Sequence, residues 1–146
     1  MATEATINIT SDITDSISFS ISESMTMTQA GGNLDLEETT GLAQRTFSGT
    51  PSQVVLIDVS AVGGLTSDTS STPVAHKVYI RNTGTDKTKG FKIFLADAAD
   101  DIEEIGTLFG QDWMLMPWQA TDANEDIMVL PSSSDKMTLE YAVFFQ

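Results

Sequence analysis

Apolar and polar residues alternate strictly along the first 28 residues of the chain. From Ile7 to Met27 every apolar side chain stands at an odd-numbered position, and serine or threonine fills most of the even-numbered ones. Because successive side chains of a β-strand point to opposite faces, this spacing predicts a ribbon with one apolar face and one hydroxyl-rich face. A break near residues 11–15 divides the ribbon into two strands, or into one strand preceded by an arm. Residues 1–28 are therefore a candidate arm that adds a strand to a neighbouring sheet.

The remainder of the chain consists of short apolar runs separated by turn residues. The strand predicted at residues 54–59 contains the uninterrupted apolar run 54–57, which indicates a strand that is covered on both faces. Residues 83–90 form a hairpin loop between two further runs. The runs after the ribbon predict strands at residues 54–59, 76–82, 91–96, 113–117, 126–130 and 137–145.

Residues 97–109 have two interpretations. The acidic residues 97–101 are suited to cap a short helix in which Ile102, Ile105 and the pair at 108–109 share one face. Equally, the same residues form an acidic loop that leads into a short strand at residues 104–108.

This pattern of about eight or nine strands with at most one short helix predicts an all-β fold. The expected architecture is a β-sandwich or jelly roll that carries an extended N-terminal β ribbon or arm. A chain of 146 residues has the size of a domain with one hydrophobic core, so residues 1–146 are expected to form a single domain.

Charge and cysteine content exclude several classes of function. Seven basic residues stand against 21 acidic ones, which gives a net charge of −14, and the chain contains no cysteine. Nucleic acids and anionic membrane surfaces carry the same sign of charge, so neither is an expected partner. The absence of thiols excludes disulfides, cysteine nucleophiles and thiolate metal sites.

Catalytic and metal-binding patterns are weak. His76 is the single histidine, and the chain has no Gly-x-Ser-x-Gly elbow to hold a nucleophile, so no enzymatic activity is expected. Residues 122–126 match the first three ligand positions of a calcium loop, but Ile127 and Ser133 stand where glycine and glutamate are required. The aspartates of residues 97–101 are an alternative calcium loop, although a solvated acidic loop explains them as well. No cofactor is expected.

The apolar ribbon positions and the aromatic residues of the second half are candidate interface residues. Aromatic side chains of β-proteins mostly fill cores or pair across strands, but subunit interfaces are also enriched in tryptophan, phenylalanine and methionine. The candidate interface residues are Ile7, Ile9, Ile17, Phe19, Ile21, Trp113, Trp118, Phe144 and Phe145.

Three segments of the second half resemble small virion proteins of tailed bacteriophages: residues 77–84 (KVYIRNTG), 112–118 (DWMLMPW) and 139–145 (LEYAVFF). The resemblance covers about residues 76–146. It implies a β-sandwich on the capsid exterior that decorates or cements the shell. The implied partners are the major capsid protein and further copies of the chain, which would form a homotrimer. The same resemblance allows a tail, neck or fibre component as an alternative.

A function of another class also fits the aromatic residues. In a carbohydrate-binding or adhesive β-sandwich, Trp113 or Trp118 would serve as a stacking platform for a sugar ring. A tryptophan buried in the core would count against that role.

Overall fold

The computed structural model describes residues 2–10, 20–28, 42–58, 76–96, 102–118 and 126–145. These residues are all-β, and no helix able to cross a membrane occurs in these ranges. The strands are β1 (Ala2–Thr10), β2 (Ser20–Thr28), β3 (Ala43–Phe47), β4 (Val54–Ile57), β5 (His76–Asn82), β6 (Gly90–Ala96), β7 (Ile102–Phe109), β8 (Trp113–Trp118), β9 (Asp126–Pro131) and β10 (Met137–Phe145).

Strands β3 to β10 form two four-stranded antiparallel sheets. The first sheet has the order β3-β10-β5-β8, and the second has the order β4-β9-β6-β7. Each of the pairs β3/β4, β5/β6, β7/β8 and β9/β10 is consecutive in the chain and places one strand in each sheet. This is the strand order of an eight-stranded jelly roll, so the predicted fold class is confirmed.

The core lies between the two sheets. Val78 and Ile80 of β5 and Ile127 and Val129 of β9 are fully buried at alternate positions, as expected for strands with one inward face. The rings of Phe47 and Phe91 meet edge to face, with 5.2 Å between their centroids. The other core residues are Leu56, Ile57, Ile93, Leu108, Trp118, Met137, Leu139 and Val143.

The apolar run at residues 54–57 forms strand β4, but for a reason different from the predicted cover on both faces. Among the described strands it pairs with β9 alone, at the edge of its sheet, and its register shifts between Val55, which pairs with Met128, and Ile57, which pairs with Ile127. Leu56 is therefore the extra residue of a β-bulge, and Leu56 and Ile57 are both buried. A bulge interrupts the alternation of side chains, so consecutive apolar residues here do not require a central strand.

Strand β7 decides between the two interpretations of residues 102–109. The helix prediction is wrong, and the strand is longer than the sequence pattern predicts. Ile93 pairs with Gly106 and Phe94 with Glu104, so Ile105 is the extra residue of a second bulge. This bulge produces the irregular apolar spacing that imitates a helix. Residues 97–101 lie outside the described residues.

The N-terminal ribbon forms two antiparallel strands. The pairing of β1 with β2 runs from Ala2 opposite Thr28 to Thr10 opposite Ser20. Because Ile9 stands opposite Ile21, odd-numbered positions of both strands share one face of the hairpin. Thr6, on the other face, is exposed. Among the described residues this hairpin is a separate two-stranded sheet, and the predicted break lies outside them.

Candidate functional site

Four chain connections meet at one end of the sandwich, which we call the turn end. They are residues 48–53, 83–89, 110–112 and 132–136. Backbone hydrogen bonds tie them together: the Gly49 amide donates to the Ser134 carbonyl at 3.0 Å, and the Ser132 amide donates to the Gly90 carbonyl at 2.9 Å. Residues 59–75, 97–101 and 119–125 lie outside the described residues.

Asn82 is the buried polar centre of the turn end and is only 1% exposed. Its side-chain amide donates to the carbonyl oxygens of Leu108 at 3.1 Å and Lys89 at 3.4 Å. Its side-chain oxygen accepts from the Gly84 amide at 3.0 Å. A buried amide with all these partners stabilises one loop geometry, because any other geometry would leave polar groups unpaired. Asn82 therefore fixes where β5, β6 and β7 end or begin.

A charged cluster, the Lys89 clasp, joins two of the connections on the surface. The Lys89 ammonium lies 3.2 Å from an Asp86 carboxylate oxygen and 2.8 Å from an Asp135 carboxylate oxygen. Hydrogen bonds from the Thr88 hydroxyl and amide, together with Lys89, lower the pKa of Asp86 to about 2. Lys89, followed by Ser133, also lowers the pKa of Asp135, and both carboxylates raise the pKa of Lys89.

These pKa shifts predict an acid-side loss of stability. Because the pKa of Asp86 is lower in the folded chain, its contribution is complete above the ordinary value of 3.8 and is lost as the pH falls towards about 2. Thr88→Val removes the side-chain hydrogen bond that lowers the pKa of Asp86 most. We expect this variant to lose less free energy of unfolding than the wild type between pH 5 and pH 2, measured by urea unfolding. Thr85→Val is the matched control in the same exposed loop. Equal acid sensitivity of the Thr88 variant and the wild type would contradict the assignment.

A pocket of about 360 Å³ lies beside the clasp, between residues 82–86, Lys89 and residues 136–138. Most of the polar groups that line it form ion pairs or hydrogen bonds with other groups of the protein. Asp86 and Lys89 pair with each other, and the Thr83 hydroxyl donates to the Thr138 carbonyl at 3.0 Å. The pocket is therefore lined by groups that hold the loop rather than by a nucleophile and its base.

Metal-ligating side chains do not converge in the described part of the chain. No group of three or more histidine, cysteine, aspartate or glutamate residues lies together there. The sequence-predicted calcium residues of 97–101 and 122–125 lie outside the described residues, and Asp126 begins β9. His76 begins β5, where its backbone pairs with that of Trp118.

Exposed apolar side chains occur along the two consecutive edge strands β7 and β8, which we call the β7–β8 margin. It consists of Ile102, Ile105 and Phe109 on β7 and Trp113 on β8, which are 47%, 43%, 43% and 51% exposed. Both strands are edge strands, one in each sheet. Several large apolar side chains left exposed on neighbouring strands favour contact with another molecule.

The tight turn between β7 and β8 holds the margin in position. The Asp112 amide donates to the Phe109 carbonyl at 2.9 Å, and the Phe109 amide donates to the Asp112 carboxylate at 3.0 Å. Gln111 has a left-handed φ of 71°. At Gly110 an added Cβ would lie 2.4 Å from the Asp86 carbonyl oxygen, so only glycine fits there. Phe109 and Trp113 therefore stand on a pre-organised turn.

The margin is poorly suited to pairing with another strand. Ile105 is a bulge residue, and Glu103 adds an exposed charge. Pro117 has no backbone N–H, so it interrupts the series of backbone amide donors along β8. These are features that protect edge strands from further ladder pairing. Contacts at this margin therefore depend on side chains.

A second feature crosses the outer face of the first sheet. Gln44, Glu140, Arg81 and Trp113 are cross-strand neighbours on four successive strands, and we call them the cross-sheet row. The Gln44 amide donates to one Glu140 carboxylate oxygen at 2.7 Å, and the Arg81 guanidinium lies 3.9 Å from the other. The rings of Tyr79 and Trp113 lie 6.5 Å apart between centroids, tilted by 35°.

The two candidate tryptophans have different environments. Trp113 is half-exposed, whereas Trp118 is 3% exposed and belongs to the core between the sheets. An indole buried within its own subunit has no surface to offer a partner or a sugar ring. The expectation that Trp118 contributes to an interface or a stacking platform is therefore corrected, and Trp113 is the tryptophan at the surface.

The other candidate interface residues are placed by their backbones alone. Ile7 and Ile9 lie in β1 and Ile21 in β2, at odd positions of the hairpin. Phe144 and Phe145 lie in β10, opposite Lys77 and His76 of β5. Ile17 and Phe19 lie outside the described residues. Their role at an interface stays a prediction.

Sequence reasoning did not single out Ile102, Ile105 and Phe109 as exposed residues, because their spacing was explained as one face of a short helix. The available signal was the pair Glu103 and Glu104 within the run, which fits an edge strand better than a core helix. Tyr79 was missed because its neighbour Trp113 is distant in the chain.

Known proteins give no further assignment. The chain matches no protein-family model, and no curated protein sequence matches it. The surfaces described above are therefore the basis for a function.

Proposed function

We propose that this protein is a non-enzymatic structural component of a tailed-bacteriophage virion, and that it decorates the capsid exterior by binding the major capsid protein. The observation that carries the proposal is the β7–β8 margin, where four large apolar side chains are exposed on two consecutive edge strands. The resemblance of residues 76–146 to small virion proteins supports it, and jelly rolls are frequent in viral capsids. Fold alone does not determine function, so the margin is the feature to test.

The physical demands of decoration match this surface. A decoration protein needs contact area and rigid placement, because its effect is binding energy summed over many copies. Rigid aromatic and aliphatic side chains lose little conformational freedom on binding, and apolar contacts at the centre of an interface contribute most of its affinity. The exposed Glu103 beside the margin favours a shell surface with basic groups around an apolar centre.

The N-terminal hairpin is a second contact in this proposal. A two-stranded ribbon is marginally stable alone, so its apolar odd-numbered positions favour a neighbouring surface. We assign that surface to a further copy of the chain, in a homotrimer, or to the shell. The even-numbered positions, exposed at Thr6 and Asn8, would then face solvent.

Copy number separates decoration from the alternative of a tail, neck or fibre component. Quantitative mass spectrometry of purified virions should give a ratio to the major capsid protein that corresponds to hundreds of copies. A ratio corresponding to a few dozen copies or fewer would support the tail-associated alternative. Absence of the protein from the virion would overturn both.

Polar substitutions in the margin should weaken capsid binding. We expect Ile105→Ser and Phe109→Ser each to lower affinity for capsids that lack the protein by roughly tenfold or more, because each removes a large apolar contact. Leu42→Ser is the matched control, since Leu42 is 64% exposed but lies next to β3, outside the margin. Co-sedimentation with purified capsids measures the effect. Equal losses for all three variants would contradict a role specific to the margin.

A further inference from the structure

We propose that the outer face of the first sheet binds neutral saccharides, with Tyr79 and Trp113 as the stacking surface and the rest of the cross-sheet row as the polar contacts. This inference is independent of the proposed virion role, because it concerns another face of the sandwich and is tested on the isolated protein. Trp113 is the single residue that both surfaces share.

The aromatic pair has the geometry for contact with pyranose rings. Trp113 is 51% exposed and Tyr79 is partly buried, and their rings lie side by side on this face, 6.5 Å apart between centroids and tilted by 35°. The electron-rich face of an aromatic ring attracts groups with partial positive charge, such as the C–H groups on one face of a sugar ring. The turn at residues 110–112 fixes the start of β8 and with it the position of Trp113.

The polar members of the row have hydrogen-bonding capacity to spare. Arg81 has five N–H donors, and its contact with Glu140 is a long one of 3.9 Å. The Glu140 carboxylate has about four acceptor positions. One of its oxygens accepts the 2.7 Å bond from Gln44. Sugar hydroxyls both donate and accept, so they can accept from Arg81, whose side chain is 45% exposed, while Glu140, at 16% exposed, holds Gln44 and Arg81 in place.

The dimensions of the row favour an oligosaccharide over a single ring. Neighbouring strands of a sheet lie ~4.8 Å apart, so a row across four strands spans ~14 Å. Trp113 lies at one end of this row and Gln44 at the other. A chain of sugar rings lying across the strands would therefore meet the aromatic pair and the polar residues in succession.

The charge of the row selects for a neutral ligand. Arg81 and Glu140 cancel each other, so the row carries no net charge in a chain with a net charge of −14. An anionic polysaccharide would be repelled by the chain as a whole. The Glu140 carboxylate near the guanidinium offsets part of its charge, which lowers the preference of Arg81 for another anion.

A glycan array with the purified full-length chain tests the proposal, followed by calorimetric titration of the oligosaccharides that bind. We expect binding to neutral hexose oligosaccharides and weaker or no binding to those that carry uronic or sialic acids. Trp113→Ala and Tyr79→Ala should each weaken binding by roughly tenfold. Arg81→Gln should weaken it as well, and Trp113→Phe should retain part of the affinity.

Two controls separate the saccharide site from the margin and from misfolding. Phe109→Ser should bind saccharides like the wild type, because Phe109 lies on the other sheet. Urea unfolding of each variant shows whether the fold is retained. The proposal would be overturned by binding restricted to anionic glycans, by no glycan binding at all, or by binding that folded Tyr79 and Arg81 variants retain in full.

Discussion

Replacing Asn82 by alanine should destabilise the fold by ~3 kcal/mol, because buried polar groups that lose their partners cost ~1–3 kcal/mol each. The alanine side chain would leave the Leu108 carbonyl and the Gly84 amide without the bonds that Asn82 makes to them. It would also remove the longer bond to the Lys89 carbonyl. The measurement is urea unfolding followed by tryptophan fluorescence, with the change in midpoint converted to free energy.

An isosteric variant distinguishes lost hydrogen bonds from lost volume. Asn82→Asp keeps the shape but points a carboxylate at two carbonyl oxygens, so burial should raise the pKa of the introduced carboxyl group. Its destabilisation should therefore be largest at neutral pH and smaller under acid conditions, where the group is protonated. Gln44→Ala, at an exposed position, should change stability little. If Asn82→Ala behaved like that control, Asn82 would not organise the turn end.

Replacing Gly110 by alanine should destabilise the chain by ~2–3 kcal/mol, which is the cost of forcing atoms into a filled site. The added Cβ would lie 2.4 Å from the carbonyl oxygen of Asp86 and 2.8 Å from its carbonyl carbon. Both are backbone atoms and cannot move aside like the end of a side chain. The connection 83–89 and the 110–112 turn must therefore separate, which would also displace Phe109 and Trp113.

Gly106→Ala provides the matched control for this prediction. An added Cβ at Gly106 meets no atom within 4 Å, so the substitution should be neutral or slightly stabilising. Thermal unfolding of both variants would measure the difference, and loss of capsid or saccharide binding at Gly110→Ala would report the displaced aromatic residues. A Gly110 variant as stable as the Gly106 variant would show that the two connections can separate without cost.

The all-β class could be predicted because it is encoded in local alternation. The odd-numbered pattern of residues 7–27 and the short runs at 76–82 and 137–145 need no knowledge of distant contacts. Strand order could not be obtained in this way. The placement of β10 between β3 and β5 depends on contacts between residues far apart in the chain, which no local pattern contains.

Bulges account for the local errors. At Leu56 and Ile105 one extra residue shifts the side-chain alternation, so a run on an edge strand resembles a central strand in one case and a helix in the other. The residues that produce a bulge have no strong sequence signature. Their neighbours on the paired strand decide the register.

The candidate site could be predicted in kind but not in location. Both tryptophans were candidate interface or stacking residues, and a single local argument separates them. Trp113 and Trp118 are five positions apart in β8, and an odd separation places two residues of one strand on opposite faces. Which of the two faces is buried depends on the second sheet. The cross-sheet row could not be predicted from the sequence, because its members come from four strands whose order no local pattern contains.

The central position of β10 also determines when this protein can fold during its synthesis. β10 pairs with β3 on one side and β5 on the other, and Thr46 meets Thr138, 92 residues later. When synthesis has reached the end of β9, the first sheet still lacks β10, the strand that joins β3 to β5 and β8. Such non-local pairing is formed slowly. Folding of the jelly roll is thus expected to follow release of β10 from the ribosome rather than to proceed strand by strand.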